Sequence, residues 1–283
     1  FLAYPLIKGT HIFYYNMNIP LIVLLRGHER NSFKTNKLKD FISLLISSFK
    51  KDNIDVKIHI HTWTNTEASN SWRNLDIIPQ KISKEDIISY FDVHIDNIII
   101  DDEKKATRHL IGNIDGKIGA IPIICWKRMW YGQYIGMKNI IEKYNFSHNK
   151  FVEPLILNIR MDFFSCNTTK KYKLTDKLII QMTKKAYNNP EKIIFSFDNG
   201  EYDGIDNVFV GFQDKMYELI RHFHFDLDNI YPKYNYLLFH ESMVYYESEI
   251  LFSSQIKSNL NIFTYYSNIL NNQLMNFVPF EKN

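Results

Sequence analysis

Residues 153–164 read EPLILNIRMDFF, and this stretch constrains the fold more than any other. Pro154 bounds an apolar run over residues 155–159 that stops at Arg160 and Asp162. A run so short and so apolar predicts a strand covered on both faces, as in a parallel sheet. Open α/β sheets bind ligands beyond the carboxyl ends of their strands, so Arg160 and Asp162 become a candidate binding pair. Taken alone, the same pair reads as solvated charges closing a strand. Its weight comes from its neighbours along the chain.

From residue 19 onward, strand-like and helix-like segments alternate. Residues 19–26 predict a buried strand, 27–32 a polar loop, and 37–49 a helix with Leu38, Phe41, Ile42, Leu45 and Phe49 on one face. A second strand is predicted over 56–61 with Thr62 and Trp63 at its end, then a polar loop to Asn74. Ser83 followed by Asp86 resembles a capping box opening a helix to Phe91. Residues 98–100 predict a third strand ending at Asp101 and Asp102, and 104–119, with Gly112, Asn113 and Gly116, read as a mobile loop. An aromatic-rich helix over 122–144 leads into the strand that ends at Arg160.

Beyond that strand the pattern predicts a helix over 175–187, a short strand over 193–197, and an acidic, Gly-containing loop over 198–206. A strand over 207–210, a helix through Phe225 and a helix over 240–256 follow. Such alternation implies right-handed parallel crossovers. The expected fold is therefore α/β and Rossmann-like, a central, mainly parallel sheet with helices on both faces and both halves of the chain in one sheet. Its ligand edge would gather Arg26, Thr62 with Trp63, Asp101 with Asp102, and Arg160 with Asp162.

Composition limits the partners. The 283 residues carry a net charge of only +3 with no long basic block, so nucleic acid is not demanded. No apolar run has the length of a transmembrane segment. Two cysteines, Cys125 and Cys166, supply neither a disulfide framework nor a four-ligand zinc site, which points to a reducing, cytoplasmic setting. Met17 is the first methionine and a strand-like run follows it, so residues 1–16 are expected to be a leader and 271–283 a tail; the alternative is a genuine strand over 11–15.

Neither G-x-G-x-x-G nor a Walker pattern occurs after the first strand, which argues against dinucleotide and P-loop chemistry. Arg26 and Arg30 stand there instead, where phosphates or ribose are commonly held; a solvated loop is the plainer reading. Trp63 is a candidate to stack on a base, and equally a core residue. Trp126, Met129, Trp130 and Tyr134 share helix spacing and suit core packing. His222 and His224, two residues apart, face different sides of a helix, so two-histidine metal spacing is absent.

With those residues in view, the chain resembles GT-A glycosyltransferases of the kind found in bacterial and giant-virus surface-glycan gene sets. Four stretches carry the resemblance: LIVLLRGHERNSF, WKRMWYGQYIGMKNIIEKYN, NIRMD, and DNVFVGFQDKM with HESMVYYE. It implies a GT-A-like catalytic domain over 17–270, with a nucleotide-sugar half at 17–162 and an acceptor half at 163–270. The implied reaction moves a sugar from a nucleotide-sugar donor, UDP-linked by expectation, to a hydroxyl of a glycan or glycoprotein, in the host cytoplasm if the source is viral.

On this resemblance Arg26, Arg30, Trp63, Asp101 and Arg160 would hold the donor. A divalent cation, Mn²⁺ or Mg²⁺, would neutralise the leaving diphosphate with Asp162 as its ligand, Arg160 either meeting the phosphate or orienting Asp162. The family's usual D-x-D has two acids and this segment has one. Asp101 and Asp102 compete with Asp162 for the cation, or simply start a helix. Asp206 and Glu241 are the favoured acceptor-side residues, with Asp198 and Asp203 as further candidate bases and His240 as a metal, phosphate or structural residue. Two other classes remain: another Rossmann-like transferase, moving methyl or sulfo groups, and a non-catalytic glycan- or nucleotide-binding relative.

Overall fold

The computed structural model describes residues 19–68, 78–145, 153–164, 176–195, 206–235, 237 and 240–253. The expected leader and tail, Cys166, Asp198 and Asp203 lie outside them. In chain order the first elements are β1 (Leu21–Arg26), α1 (Lys37–Lys50), β2 (Val56–Trp63), α2 (Lys84–Tyr90), β3 (Asn97–Asp101) and α3 (Glu103–Thr107). Strands β4 (Lys117–Ile118) and β5 (Ile121–Pro122), α4 (Ile123–Asn145), β6 (Leu155–Arg160) and α5 (Asp176–Tyr187) come next. The last are β7 (Ile194–Phe195), β8 (Val208–Phe212), α6 (Gln213–Ile230) and α7 (Ser242–Ser253).

One six-stranded sheet in the order β3-β2-β1-β6-β8-β7 joins the two halves of the chain. Strands β3, β2, β1 and β6 are parallel, while β8 runs antiparallel to both β6 and β7. The mainly parallel α/β architecture expected from the alternation is thus present. Strand order reverses between β1 and β6, the point at which such sheets open a crevice for ligands.

Side chains alternate across a strand, so a central strand needs an apolar surface on each side. Leu21, Val23 and Leu25 of β1 pack with α1, α2 and α5, whereas Ile22 and Leu24 pack with α4, α6 and α7. The five apolar positions predicted for α1 are all buried. At α2 the capping box is complete: Ser83 Oγ accepts from the Asp86 amide at 3.1 Å, and Asp86 accepts from the Ser83 amide at 2.8 Å. Helix α4 comes unusually close to the sheet. A Cβ at Gly132 would lie 2.7 Å from His61, and one at Gly136 would lie 2.8 Å from Leu24, so these glycines seat the helix on β1 and β2.

Two segments differ from expectation. Residues 104–119 are not a free loop: Asp102 caps α3 by accepting from the Lys105 amide at 2.9 Å, and β4 and β5 form a hairpin. Between them Asp228 accepts from the Asn113 amide at 2.9 Å and pairs with Lys127 at 2.7 Å, while Lys127 also donates to the Ile111 carbonyl. Glycine content signalled turns, but these tethers come from distant helices that local composition does not reveal. Helix α6 also runs past Phe225, because Leu227 and Ile230 extend its buried face. Among the described residues no helix is long and apolar enough to cross a membrane.

The sheet carries one acid-labile position. His59 of β2 is buried against Tyr144 with both ring nitrogens lacking hydrogen-bond partners among the described residues. Burial, then the charge of Lys143, lowers its pKa to about 4; Asp96 pulls upward and Lys57 downward. The folded value lies below the unfolded one, so the unfolded chain takes up a proton first as pH falls. Stability contributed by neutral His59 is therefore complete above about pH 6.5 and is lost toward about pH 4, by roughly 2–3 kcal/mol. Urea midpoints measured between pH 7.5 and 4.5 should fall more steeply for the native chain than for His59→Leu. Parallel slopes would show that His59 is not the source.

Candidate functional site

Strand register builds the first layer of the site. His61, Arg26 and Arg160 are direct neighbours across β2, β1 and β6, and Trp63 is the neighbour of Asp101 across β2 and β3. The expected edge residues are therefore assembled at the carboxyl ends of the parallel strands, with Asp162 in the 3-10 turn that follows β6 directly.

Arg26, in the middle of the row, is buried. Its Nε donates to Asn158 Oδ1 at 2.7 Å, its Nη2 donates to the carbonyl of Asp206, and Asn158 Nδ2 donates onward to Gln133 Oε1 of α4 at 2.6 Å. Burial lowers the Arg26 pKa to about 9, with Asp206 pulling upward and Arg160 downward, so the guanidinium stays charged at neutral pH. Asp206 is itself buried at the entrance to β8, which places this candidate acceptor-side residue beside Arg26.

Asp162 is the hub. Arg160 grips it with two parallel bonds, Nε to Oδ1 at 3.0 Å and Nη2 to Oδ2 at 2.7 Å. Arg30 Nη1 reaches the same Oδ2 at 2.7 Å, and Arg30 Nε donates to Glu67 Oε2 at 2.7 Å. The remaining Arg160 nitrogen, Nη1, donates to Asn207 Oδ1 at 2.7 Å. Two guanidinium groups and two carboxylates thus alternate as Glu67, Arg30, Asp162, Arg160.

The backbone is shaped to make this possible. Arg30 and Asn31 have φ of 46° and 69°, a left-handed conformation that costs non-glycine residues roughly 1–3 kcal/mol each. The Arg30 amide donates to the Thr66 carbonyl at 2.9 Å, Thr62 Oγ1 to the Gly27 carbonyl at 2.8 Å, and Ser32 Oγ to the Met161 carbonyl at 2.8 Å. These bonds tie the loop after β1 to the ends of both β2 and β6 and aim Arg30 at Asp162.

Around the hub, Asp101 pairs with His61 at 3.1 Å, and Asp102 serves as the cap of α3. Trp63 is buried, its ring stacked between His28 at 5.9 Å and Tyr131 at 6.3 Å. His28 meets Glu103 at 3.2 Å, and Arg128 of α4 meets the same carboxylate at 3.3 Å. Burial holds His28 below its ordinary pKa, partly offset by Glu103. Glu241 occupies the turn before α7, next to His240, which packs against Tyr231 at 5.9 Å and over Gly119. His222 and His224 have separate surroundings, as their spacing suggested: one pairs with Glu247 at 2.7 Å, and the other stacks on Tyr134 at 4.6 Å.

A divalent cation fits this donor set poorly. Mg²⁺ and Mn²⁺ want several oxygen ligands, yet Asp162 already accepts three guanidinium hydrogen bonds. A dication on either oxygen would also stand beside two like charges. Among the described residues no three His, Cys, Asp or Glu side chains group as a metal site.

Sequence reasoning missed Glu67, Asn158 and Asn207. Asn158 had a readable signal, a polar residue inside an otherwise apolar buried strand. Glu67 and Asn207 had none, since each is one polar residue in a polar segment. Compared with protein-family models, with curated proteins and with solved structures, the chain matches nothing.

Proposed function

We propose that the chain is a glycosyltransferase of GT-A type, taking a nucleotide-sugar donor at the carboxyl edge of its sheet and passing the sugar to a hydroxyl of a glycan or glycoconjugate. The observation that carries this reading is the convergence of Arg30 and Arg160 on Asp162 at the switch point between β1 and β6. Switch points of parallel sheets are where nucleotides bind, and paired guanidinium forks suit a diphosphate that gains charge as it leaves. In the reaction, the bond from the anomeric carbon to the diphosphate oxygen breaks and its electron pair stays on the diphosphate. The acceptor oxygen bonds to the anomeric carbon, and its proton passes to a carboxylate. Asp206, beside Arg26, is the base this reading favours, with Glu241 the second choice.

Thermal unfolding with a panel of nucleoside diphosphates, followed by hydrolysis assays on the matching nucleotide sugars, tests the reading. At about a hundred times its dissociation constant, the matching nucleotide should raise Tm by roughly 5–10 °C, and the corresponding sugar donor should be hydrolysed slowly without acceptor. Stabilisation by S-adenosylmethionine instead would point to a methyl transferase. Stabilisation by free glycans alone would point to a non-catalytic relative.

A further inference from the structure

Resting on the nucleotide-sugar reading, we propose that Arg30, with the charge of Arg160 beside it, receives the donor's diphosphate directly, with no divalent cation, and that Asp162 is the fixed counter-ion that sets the two guanidinium groups side by side. Two like charges brought together at a half-buried site repel, and a carboxylate between them offsets that repulsion. Asp162 does this from a buried position, with Oδ2 shared at 2.7 Å by both arginines. The arrangement sets two guanidinium groups in rigid positions at the sheet edge, with Glu67 and Asp162 as their counter-charges.

It also leaves donors for a ligand. A guanidinium has five N–H groups in a fixed fork. Arg30 spends Nε on Glu67 and one Nη1 hydrogen on Asp162, and its Nη2 makes no hydrogen bond among the described residues. The Arg30 side chain keeps 15% exposure, with Nε and Nη1 anchored. An oxyanion arriving from solvent would find N–H groups already oriented, at the end of the sheet where nucleotides dock. The left-handed backbone at Arg30 and Asn31 fits the same purpose, because strain of this kind persists where surrounding contacts hold a functional group in place.

The test is calorimetric titration of the full chain with UDP, and with GDP, CDP and dTDP beside it, in EDTA and again in MnCl₂. The proposal expects the best-bound nucleotide to have dissociation constants within about threefold in the two buffers. Arg30→Gln should weaken binding about tenfold or more in EDTA, and Arg30→Lys, which keeps the charge but not the fork, should fall between. Asp162→Asn should weaken binding by no more than about threefold, and equally in both buffers, because misplacement of the guanidinium pair is offset by removal of a negative charge from beside the ligand. Binding that appears only with Mn²⁺ and is lost in Asp162→Asn would overturn the proposal and leave the glycosyltransferase reading standing. No binding of any nucleoside diphosphate in either buffer would overturn both.

Discussion

Changing Asp162 to Asn is expected to lower donor turnover by about 10²-fold or more while the protein stays folded. The amide keeps the size and shape of the carboxylate and still accepts from one arginine. It lacks the charge that keeps Arg30 and Arg160 together, and misplacing a charge-stabilising group by about an ångström is enough for a loss of this size. The fold should survive because each guanidinium retains a second partner, Glu67 for Arg30 and Asn207 for Arg160. Asp162 touches the arginines, so it acts as a positioning residue and the loss should fall on kcat with KM little changed. Asp101→Asn should do far less, since Asp101 is paired with His61 at the far side of the row. A native-like rate in Asp162→Asn together with a dead Asp101→Asn would move the site to the end of β3.

Those two aspartates also show what a chain of letters reveals about a site. Strand ends were legible because apolar runs stop where the sheet stops, and a ligand edge follows from parallel order alone. The sequence pattern therefore places Arg26, Trp63, Asp101 and Arg160 together, and the register sets Arg26 between His61 and Arg160. Roles were less legible. An aspartate after a strand reads alike whether it caps a helix, as Asp102 does, or bridges two arginines, as Asp162 does. The difference lies in which loops fold over it, and that depends on bonds such as Arg30 to Thr66 and Ser32 to Met161. Partners separated by many residues leave no periodic trace. Glu67, 37 residues from Arg30, was invisible for that reason.

Replacing Asn158 by Leu should destabilise the protein by about 3–5 kcal/mol, lowering Tm by roughly 10 °C. Leucine shares the branching and heavy-atom count of asparagine and suits the apolar strand, so packing alone predicts only the overpacking cost of its larger volume, roughly 1–3 kcal/mol. The further harm comes from what Asn158 holds, because its loss strands Arg26 Nε and Gln133 Oε1, both in buried side chains. An unpaired buried guanidinium costs more than an apolar residue in its place. The double variant Arg26→Met with Asn158→Leu should therefore be more stable than Asn158→Leu alone, a coupling that thermal unfolding of the four-member cycle measures. Its activity should not return, because Arg26 also fixes the Asp206 carbonyl at the entrance to β8. A double variant no more stable than the single one would mean that Arg26 finds other partners once Asn158 is gone. Recovery of stability without activity would assign this buried polar row to the site rather than to the fold.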